Sequence, residues 1–481
     1  MDISESRIRA IVERVVERVA QEQGLSGAAG SPTRSGGSSP ELGCFDDLDD
    51  AVKAARVAYR ELQDVTIGHR EKIIASIRKV MDQNNRMLAE MAVRETKFGR
   101  VDDKVIKNNL AIWKTPGTED LQTRALSGDH GLTIWERSPF GVIGSITPCT
   151  NPTPTIVSNG IGFIAAGNSG VFCPHPLAKE TSVLCVRLIN EAVVAAGGPV
   201  NLIVTLRAPS IKQAQALMTH EGINLLVVTG GPEVVKAAMS SGKRVIGAGP
   251  GTPPALVVET ADLQKAAYDL VRGASFDNNI ICTDEKEVFA VASIHEELKR
   301  LMLQQPAVEV KGQALKRLEQ LVLKENRGPR RHAVVNKEWV GKDATAILEA
   351  IGVDCPRDTR LVICDVEQDH PFVWSELLMP VLAMAKVRDW QEGVAISVEA
   401  EHGFRHTSSM HSTHIARLSV MARAMDTSIF VKNGPNFAGL GEGGEGHASF
   451  TIASPTGDGV TSARNFTRER KCIVVDQLRI V

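Results

Sequence analysis

The chain has 481 residues, 43% of them hydrophobic, and a formal net charge of −2; it is long enough for two lobes with separate cores and too evenly charged to offer nucleic acid or an anionic membrane a footprint. No apolar run reaches the roughly 18 to 20 residues of a bilayer span, and Glu5, Glu13 and Glu17 interrupt any signal-peptide core, so a soluble, cytoplasmic protein acting on small molecules is expected. Eight cysteines with no C-x-x-C pair suit neither a disulfide framework nor a zinc site, and most are expected to be small core residues.

Residues 1–20 place Ile8, Ile11, Val12, Val15 and Val19 at helical spacing, with Arg7, Glu13, Arg14, Glu17 and Arg18 around the other face, which predicts a short amphipathic helix. Residues 21–44 read as a flexible linker. Between Gly24 and Pro40 they are mostly Gly, Ser, Ala and Pro, with too little apolar surface to offset the entropy of ordering. The helix either docks on its own chain or, as the tether favours, serves a partner.

From Phe45 the pattern is globular, opening with helical periodicities such as Ile73, Ile74, Ile77, Val80 and Met81. Gly141–Ile146, Gly170–Cys173, Asn201–Leu206 and Ile223–Thr229 read as short buried strands, with Ala178–Ala196 and Pro232–Ser240 as helices between or after them. That alternation predicts an α/β chain with a doubly wound parallel sheet. A second α/β stretch runs from about Thr252 to Val431, followed by a glycine-rich run, Gly434–Gly446, and a terminal strand, Lys471–Val481.

Strand Ile223–Thr229 leads into Thr229-Gly230-Gly231-Pro232-Glu233, with Pro232 suited to the first position of a helix whose free amides would bind phosphate. A plain strand-to-helix connection explains the turn equally well. The wider context is more specific. Ser138-Pro-Phe-Gly-Val-Ile-Gly-Ser-Ile-Thr-Pro-Cys-Thr-Asn-Pro152, Ala166-Gly-Asn-Ser-Gly-Val-Phe-Cys-Pro-His-Pro176, Ser275-Phe-Asp-Asn-Asn-Ile-Ile-Cys282, Glu376-Leu-Leu-Met-Pro380 and Phe430-Val-Lys-Asn-Gly-Pro435 together resemble motifs of the CoA-acylating aldehyde dehydrogenases, and most of all the propionaldehyde dehydrogenases of bacterial microcompartments. The resemblance runs in unbroken order from about Phe45 to Val481.

It implies an aldehyde dehydrogenase fold: a Rossmann-like cofactor lobe over residues 45–250 with an arm near 121–138, a catalytic lobe over 251–435, and a C-terminal return with an oligomerisation strand over 436–481. It implies Cys282 as nucleophile and Asn151 as donor to the developing oxyanion, although Asn151 is also placed to cap the turn before Pro152. NAD and coenzyme A are the implied cofactor and co-substrate. Thr147 and Pro148, the turn Thr229, Gly230 and Gly231 with Val234, and Glu376 are the implied cofactor contacts. Hydrolytic members carry a lysine in the run matching Phe172-Cys-Pro-His-Pro176; here there is none, and His175 either takes over a ribose or CoA phosphate contact or is a structural histidine at a helix start. Cys149 and Cys173 are read as packing residues.

Hydrolytic members also activate water with a glutamate in a Glu-Leu-Gly-Gly segment, where this chain has Gly247-Ala-Gly-Pro-Gly-Thr-Pro-Pro254. A thioester there is expected to wait for a CoA thiol. The histidines His402, His406, His411 and His414 lack a carboxylate or cysteine to complete a metal site, and by resemblance the Gly403-Phe-Arg-His-Thr407 turn lines the cleft; Lys324, Arg327, Arg330 and Arg331 are read as a solvated loop. By resemblance the chain is a homo-oligomer, and residues 1–20 are an encapsulation helix that binds a shell protein and carries the enzyme into a microcompartment lumen.

Overall fold

The computed structural model describes residues 42–480. The helix expected over residues 1–20 and nearly all of the linker lie outside the described residues. The linker's expected end needs correction: Cys44 is buried and begins a strand paired in parallel with Thr205.

The first sheet has six strands, β1 (Cys44–Phe45), β2 (Val142–Thr147), β3 (Ser169–Pro174), β4 (Ile203–Leu206), β5 (Leu225–Thr229) and β6 (Val245–Ala248). Their order is β1-β4-β3-β2-β5-β6 and every pairing is parallel. Such strands are covered on both faces, which is why β2 and β3 are buried at every position. The winding direction reverses at β2, opening a crevice beyond the carboxyl ends of β2 and β5.

The second sheet has seven parallel strands: β7 (Pro254–Val257), β8 (Glu287–Val291), β9 (Ala307–Glu309), β10 (Leu361–Val366), β11 (Val381–Val387), β12 (Thr407–His411) and β13 (Ile429–Lys432). Their order is β9-β10-β11-β8-β7-β12-β13. The buried apolar cluster around it runs over residues 255–425. A cluster on the first sheet instead combines early residues such as Ile73 and Phe163 with late ones, Phe437, Phe450 and Phe466.

Four helices place the site: α1 (Val101–Lys114), α2 (Pro152–Ala165), α3 (Pro232–Met239) and α4 (Leu263–Ala274). Helix α2 starts with proline at a position that needs no N–H and is buried along its whole length. A third sheet pairs the hairpin Arg124–Gly128 and Gly131–Pro139 with a last strand, Thr467–Val475. The terminal strand thus begins four residues before the expected Lys471 and stops at Val475. No helix among the described residues is long and apolar enough to cross a membrane.

Candidate active site

Cys282 lies on the loop that connects α4 to β8. Just before it, Asp277, Asn278 and Asn279 have φ of 44°, 56° and 61°, a left-handed run that Asn and Asp tolerate better than other side chains and that still has to be held in place. The holding bonds are numerous. The Asp277 N–H donates to Asp103 Oδ2 at 2.9 Å and the Arg100 N–H to Asp277 Oδ1 at 2.7 Å. Asn278 Nδ2 donates to the Gly341 carbonyl at 2.9 Å, and Asn279 Nδ2 to those of Ala274 and Glu285, each at 2.8 Å. Lys286 Nζ closes the loop from within, donating to the carbonyls of Asn279 and Ile281, both at 2.9 Å. Gly99 makes room for this turn, since a Cβ there would overlap the Asp277 carboxylate.

The Cys282 side is half-buried, and burial pushes its thiol up to about 12; Glu376 adds to the rise and Lys286 opposes it. Glu376 itself is pushed up by burial, against the pull of Lys286 and the Gly251 amide. Gly251 belongs to the run that replaces the water-activating segment. A Cβ on it would stand 3.0 Å from the Cys282 carbonyl oxygen and 2.9 Å from His406 Cγ. None of residues 247–254 carries a titratable side chain.

Sequence reasoning treated His406 only as cleft lining. It is buried, its Nδ1 lies 2.9 Å from Thr407 Oγ1, and its Nε2 has no partner. Burial and the Lys286 charge push it down to about 3, so the ring is neutral. His402 instead meets the Trp374 carbonyl through Nε2 at 3.1 Å. Among the described residues, the grouped histidine and acidic donors are elsewhere, at His295, Glu296 and Asp365, where Lys299 Nζ already lies 2.5 Å from Asp365.

Asn151 occupies the cap position of α2, but its side chain makes no capping bond. Its Oδ1 accepts from Lys107 Nζ at 2.6 Å, and its Nδ2 lies 3.3 Å from Thr150 Oγ1. Thr147 and Pro148 close β2, and the buried Thr147 hydroxyl has no partner. Thr229 ends β5, with Oγ1 3.0 Å from Thr451 Oγ1. Gly231 is the exposed cap of α3, without a side-chain acceptor; Pro232 has no N–H and Val234 donates to the Gly231 carbonyl at 3.1 Å, which leaves the Glu233 N–H for an anion; Val234 packs beside Gly230. The turn, Thr147 and Pro148 thus share the crevice beyond β2 and β5. His175 follows β3, and its Nδ1 accepts the Leu177 N–H at 3.2 Å, the structural alternative weighed for it; its Nε2 edge is left over. Glu376 lies apart from these residues, on the Cys282 side. Cys173 is buried in β3 with its thiol pushed up to about 12, and burial also raises Cys149.

A model of the aldehyde dehydrogenase family matches residues 41–452. The chain belongs to the aldehyde dehydrogenase family. Within this family it is 50% identical over 442 residues to the acetaldehyde dehydrogenase (acetylating) EutE of Escherichia coli strain K12, covering 92% of this chain and 94% of that one. It is 43% identical to the propanal dehydrogenase (CoA-propanoylating) of Salmonella typhimurium strain LT2, over 98% and 99% of the two chains. Among solved structures, the Rhodopseudomonas palustris propionaldehyde dehydrogenase with bound CoA and an acylated cysteine superposes with a TM-score of 0.89 at 47% identity, covering 91% of this chain and 99% of that one.

Proposed function

We propose that this family member is a CoA-acylating aldehyde dehydrogenase that converts a short-chain aldehyde, with propionaldehyde as the favoured substrate, to its acyl-CoA with reduction of NAD. The observation that carries this reading is a half-buried cysteine on a loop held by many side-chain hydrogen bonds, faced by a glycine that excludes any side chain where a water-activating base would be needed. Relatives named for acetylation and CoA-propanoylation at 50% and 43% identity support the same chemistry.

In this scheme Cys282, as the thiolate, adds to the aldehyde carbon. The Asn151 carboxamide and the Cys282 N–H donate to the oxyanion of the resulting thiohemiacetal. Collapse of that oxyanion expels hydride from the former aldehyde carbon and leaves a thioester on Cys282. NAD, when bound, supplies the hydride acceptor; the Glu233 N–H at the start of α3, the unpartnered Thr147 hydroxyl and the His175 Nε2 edge are suited to a dinucleotide, with Glu376 for its nicotinamide ribose. The CoA thiolate then attacks the thioester carbon, and Cys282 leaves as the thiolate. With no base over residues 247–254, water competes poorly.

The test is NADH absorbance on mixing the enzyme with propanal and NAD, with and without CoA. Sustained turnover that requires CoA and yields propanoyl-CoA is expected; an equal CoA-free rate yielding free acid would make the enzyme hydrolytic.

Two further parts of the reading concern assembly. Leu126, Ile473 and Val475 are exposed apolar residues on the third sheet, which supports an oligomer formed through that arm. The amphipathic pattern of residues 1–20 supports an encapsulation helix that binds a shell protein within a microcompartment lumen. Deleting residues 1–40 is expected to abolish co-purification with shell while leaving kinetics unchanged; lost activity would make the segment part of the folded body.

A further inference from the structure

Behind Asn151 lies an ionic cluster that the scheme above does not use. Lys104 and Lys107, three residues apart on α1, both direct their ammonium groups at the Asp277 carboxylate, and the three side chains are 4%, 1% and 0% exposed. Lys104 Nζ lies 3.0 Å from Asp277 Oδ2, and Lys107 Nζ contacts the same oxygen. Lys107 alone goes further, donating to Asn151 Oδ1 at 2.6 Å. The Thr150 carbonyl lies 3.5 Å from both ammonium groups.

Two buried cations sharing one carboxylate is a poor way to stabilise a fold, since desolvation offsets most of the attraction. Lys104 alone would suffice to pair Asp277. What the second lysine adds is the bond to Asn151. An ammonium has three donors and no acceptor, so it binds the oxygen of a carboxamide and never the nitrogen. Lys107 therefore fixes which way the Asn151 amide faces, with Nδ2 turned away from the lysine. A charge-assisted bond at Oδ1 also polarises the amide, making its N–H a stronger donor to an anion. Asp277, the anchor of Lys107, belongs to the loop that carries Cys282 five residues later, so the amide is registered to the nucleophile's own segment.

We propose that Lys107 is a positioning residue for oxyanion stabilisation: anchored by Asp277, it locks the Asn151 carboxamide with Nδ2 turned away from the lysine, beside Thr150 Oγ1, and places a positive charge behind it. This rests on the reading of Cys282 as nucleophile and Asn151 as donor. Lys107 touches neither substrate nor cofactor in this role; it acts through Asn151.

The test is a double-mutant cycle in the full-length enzyme, read as pre-steady-state NADH formation with propanal. Asn151→Ala is expected to slow acylation roughly 10² to 10³-fold, and Lys107→Met roughly 10 to 10²-fold with little change in KM. The double variant is expected to be no slower than Asn151→Ala alone, because the lysine has nothing left to orient. Lys104→Met, which removes a buried cation of the same cluster without touching Asn151, is expected to stay within about threefold of the parent rate. Alkylation of Cys282 by iodoacetamide forms no oxyanion and is expected to be unchanged in Lys107→Met. If Asn151→Ala keeps near-parental rates, the donor assignment itself fails. If Asn151→Ala is slow but Lys107→Met is not, or if the two losses multiply, the positioning role fails while the donor assignment stands. Should Lys107→Met not fold, Lys107→Leu, which also has no donor for Asn151 Oδ1, carries the same cycle with the same two outcomes.

Discussion

Gly251 passes so close to Cys282 that a Cβ on it would stand 3.0 Å from the Cys282 carbonyl oxygen. The opposite wall is His406 Cγ, at 2.9 Å from the same point, and His406 is buried. Gly251→Ala must therefore push either the nucleophile's backbone or the imidazole. We expect kcat to fall at least about tenfold, with a stability cost of about 1 to 3 kcal/mol. Parental kcat in a folded Gly251→Ala enzyme would show that the contact is slack.

The cysteines separate by environment. Cys282→Ala is expected to abolish NADH formation with propanal and CoA while leaving the circular dichroism spectrum and NAD binding unchanged, because only the covalent step is lost. Cys149→Ala and Cys173→Ala are expected to retain appreciable activity. Loss of turnover in either, with Cys282→Ala still active, would move the nucleophile.

Because burial and the Glu376 charge hold the Cys282 thiol near 12, little of it is thiolate at neutral pH in the free enzyme. Its alkylation by iodoacetamide, followed by peptide mass spectrometry, is expected to rise about tenfold per pH unit and to continue rising past pH 9. A plateau setting in by about pH 10, roughly one unit above the ordinary thiol value of 9.0, would mean an unperturbed thiol.

Glu285 sits under the same loop, with Oε1 accepting the Asn436 N–H at 2.8 Å and Oε2 without a partner. Burial raises it from 4.5 to about 8, so around neutral pH the folded enzyme keeps a proton that the unfolded chain has lost. Its stabilising effect is intact below pH 4.5 and is lost as pH rises through about 8. Glu285→Gln mimics the protonated form at every pH. Its denaturation midpoint is expected to match the parent near pH 5 and exceed it near pH 8, by on the order of 2 kcal/mol. A constant difference across that range would refute the linkage.

How much of this was legible depends on what decides each feature. Largely apolar runs made β2 and β5 readable, because a strand covered on both faces carries no charged or exposed face. Pro232 marked the start of α3 for a similarly local reason, since a proline suits a first helical position that needs no N–H. The last strand was placed late because Arg468, Glu469, Arg470 and Lys471 are exposed, so its first half has no apolar signature and is fixed by pairing with Gly131–Pro139. Lys104 and Lys107 belong to none of the motifs singled out in the sequence. Their burial is decided by Asp277, more than 160 residues away in sequence, and no spacing rule connects them. His406 was visible in a histidine-rich run, but its isolation from His402 follows from tertiary placement alone.

The two halves of the molecule differ in how their cores are drawn from the chain, and this orders their birth on the ribosome. The buried apolar cluster of the second sheet runs over residues 255–425, with Phe430 packed against it, so it can close while the segment after residue 432 is still being synthesised. The cluster that receives α2 needs Phe437, Phe450 and Phe466 as well. The half that emerges first is thus the last to be sealed, and helix α2, buried along its whole length in the finished fold, spends the translation of some 300 further residues without its final cover. That interval is when this polypeptide most needs a chaperone's protection from aggregation.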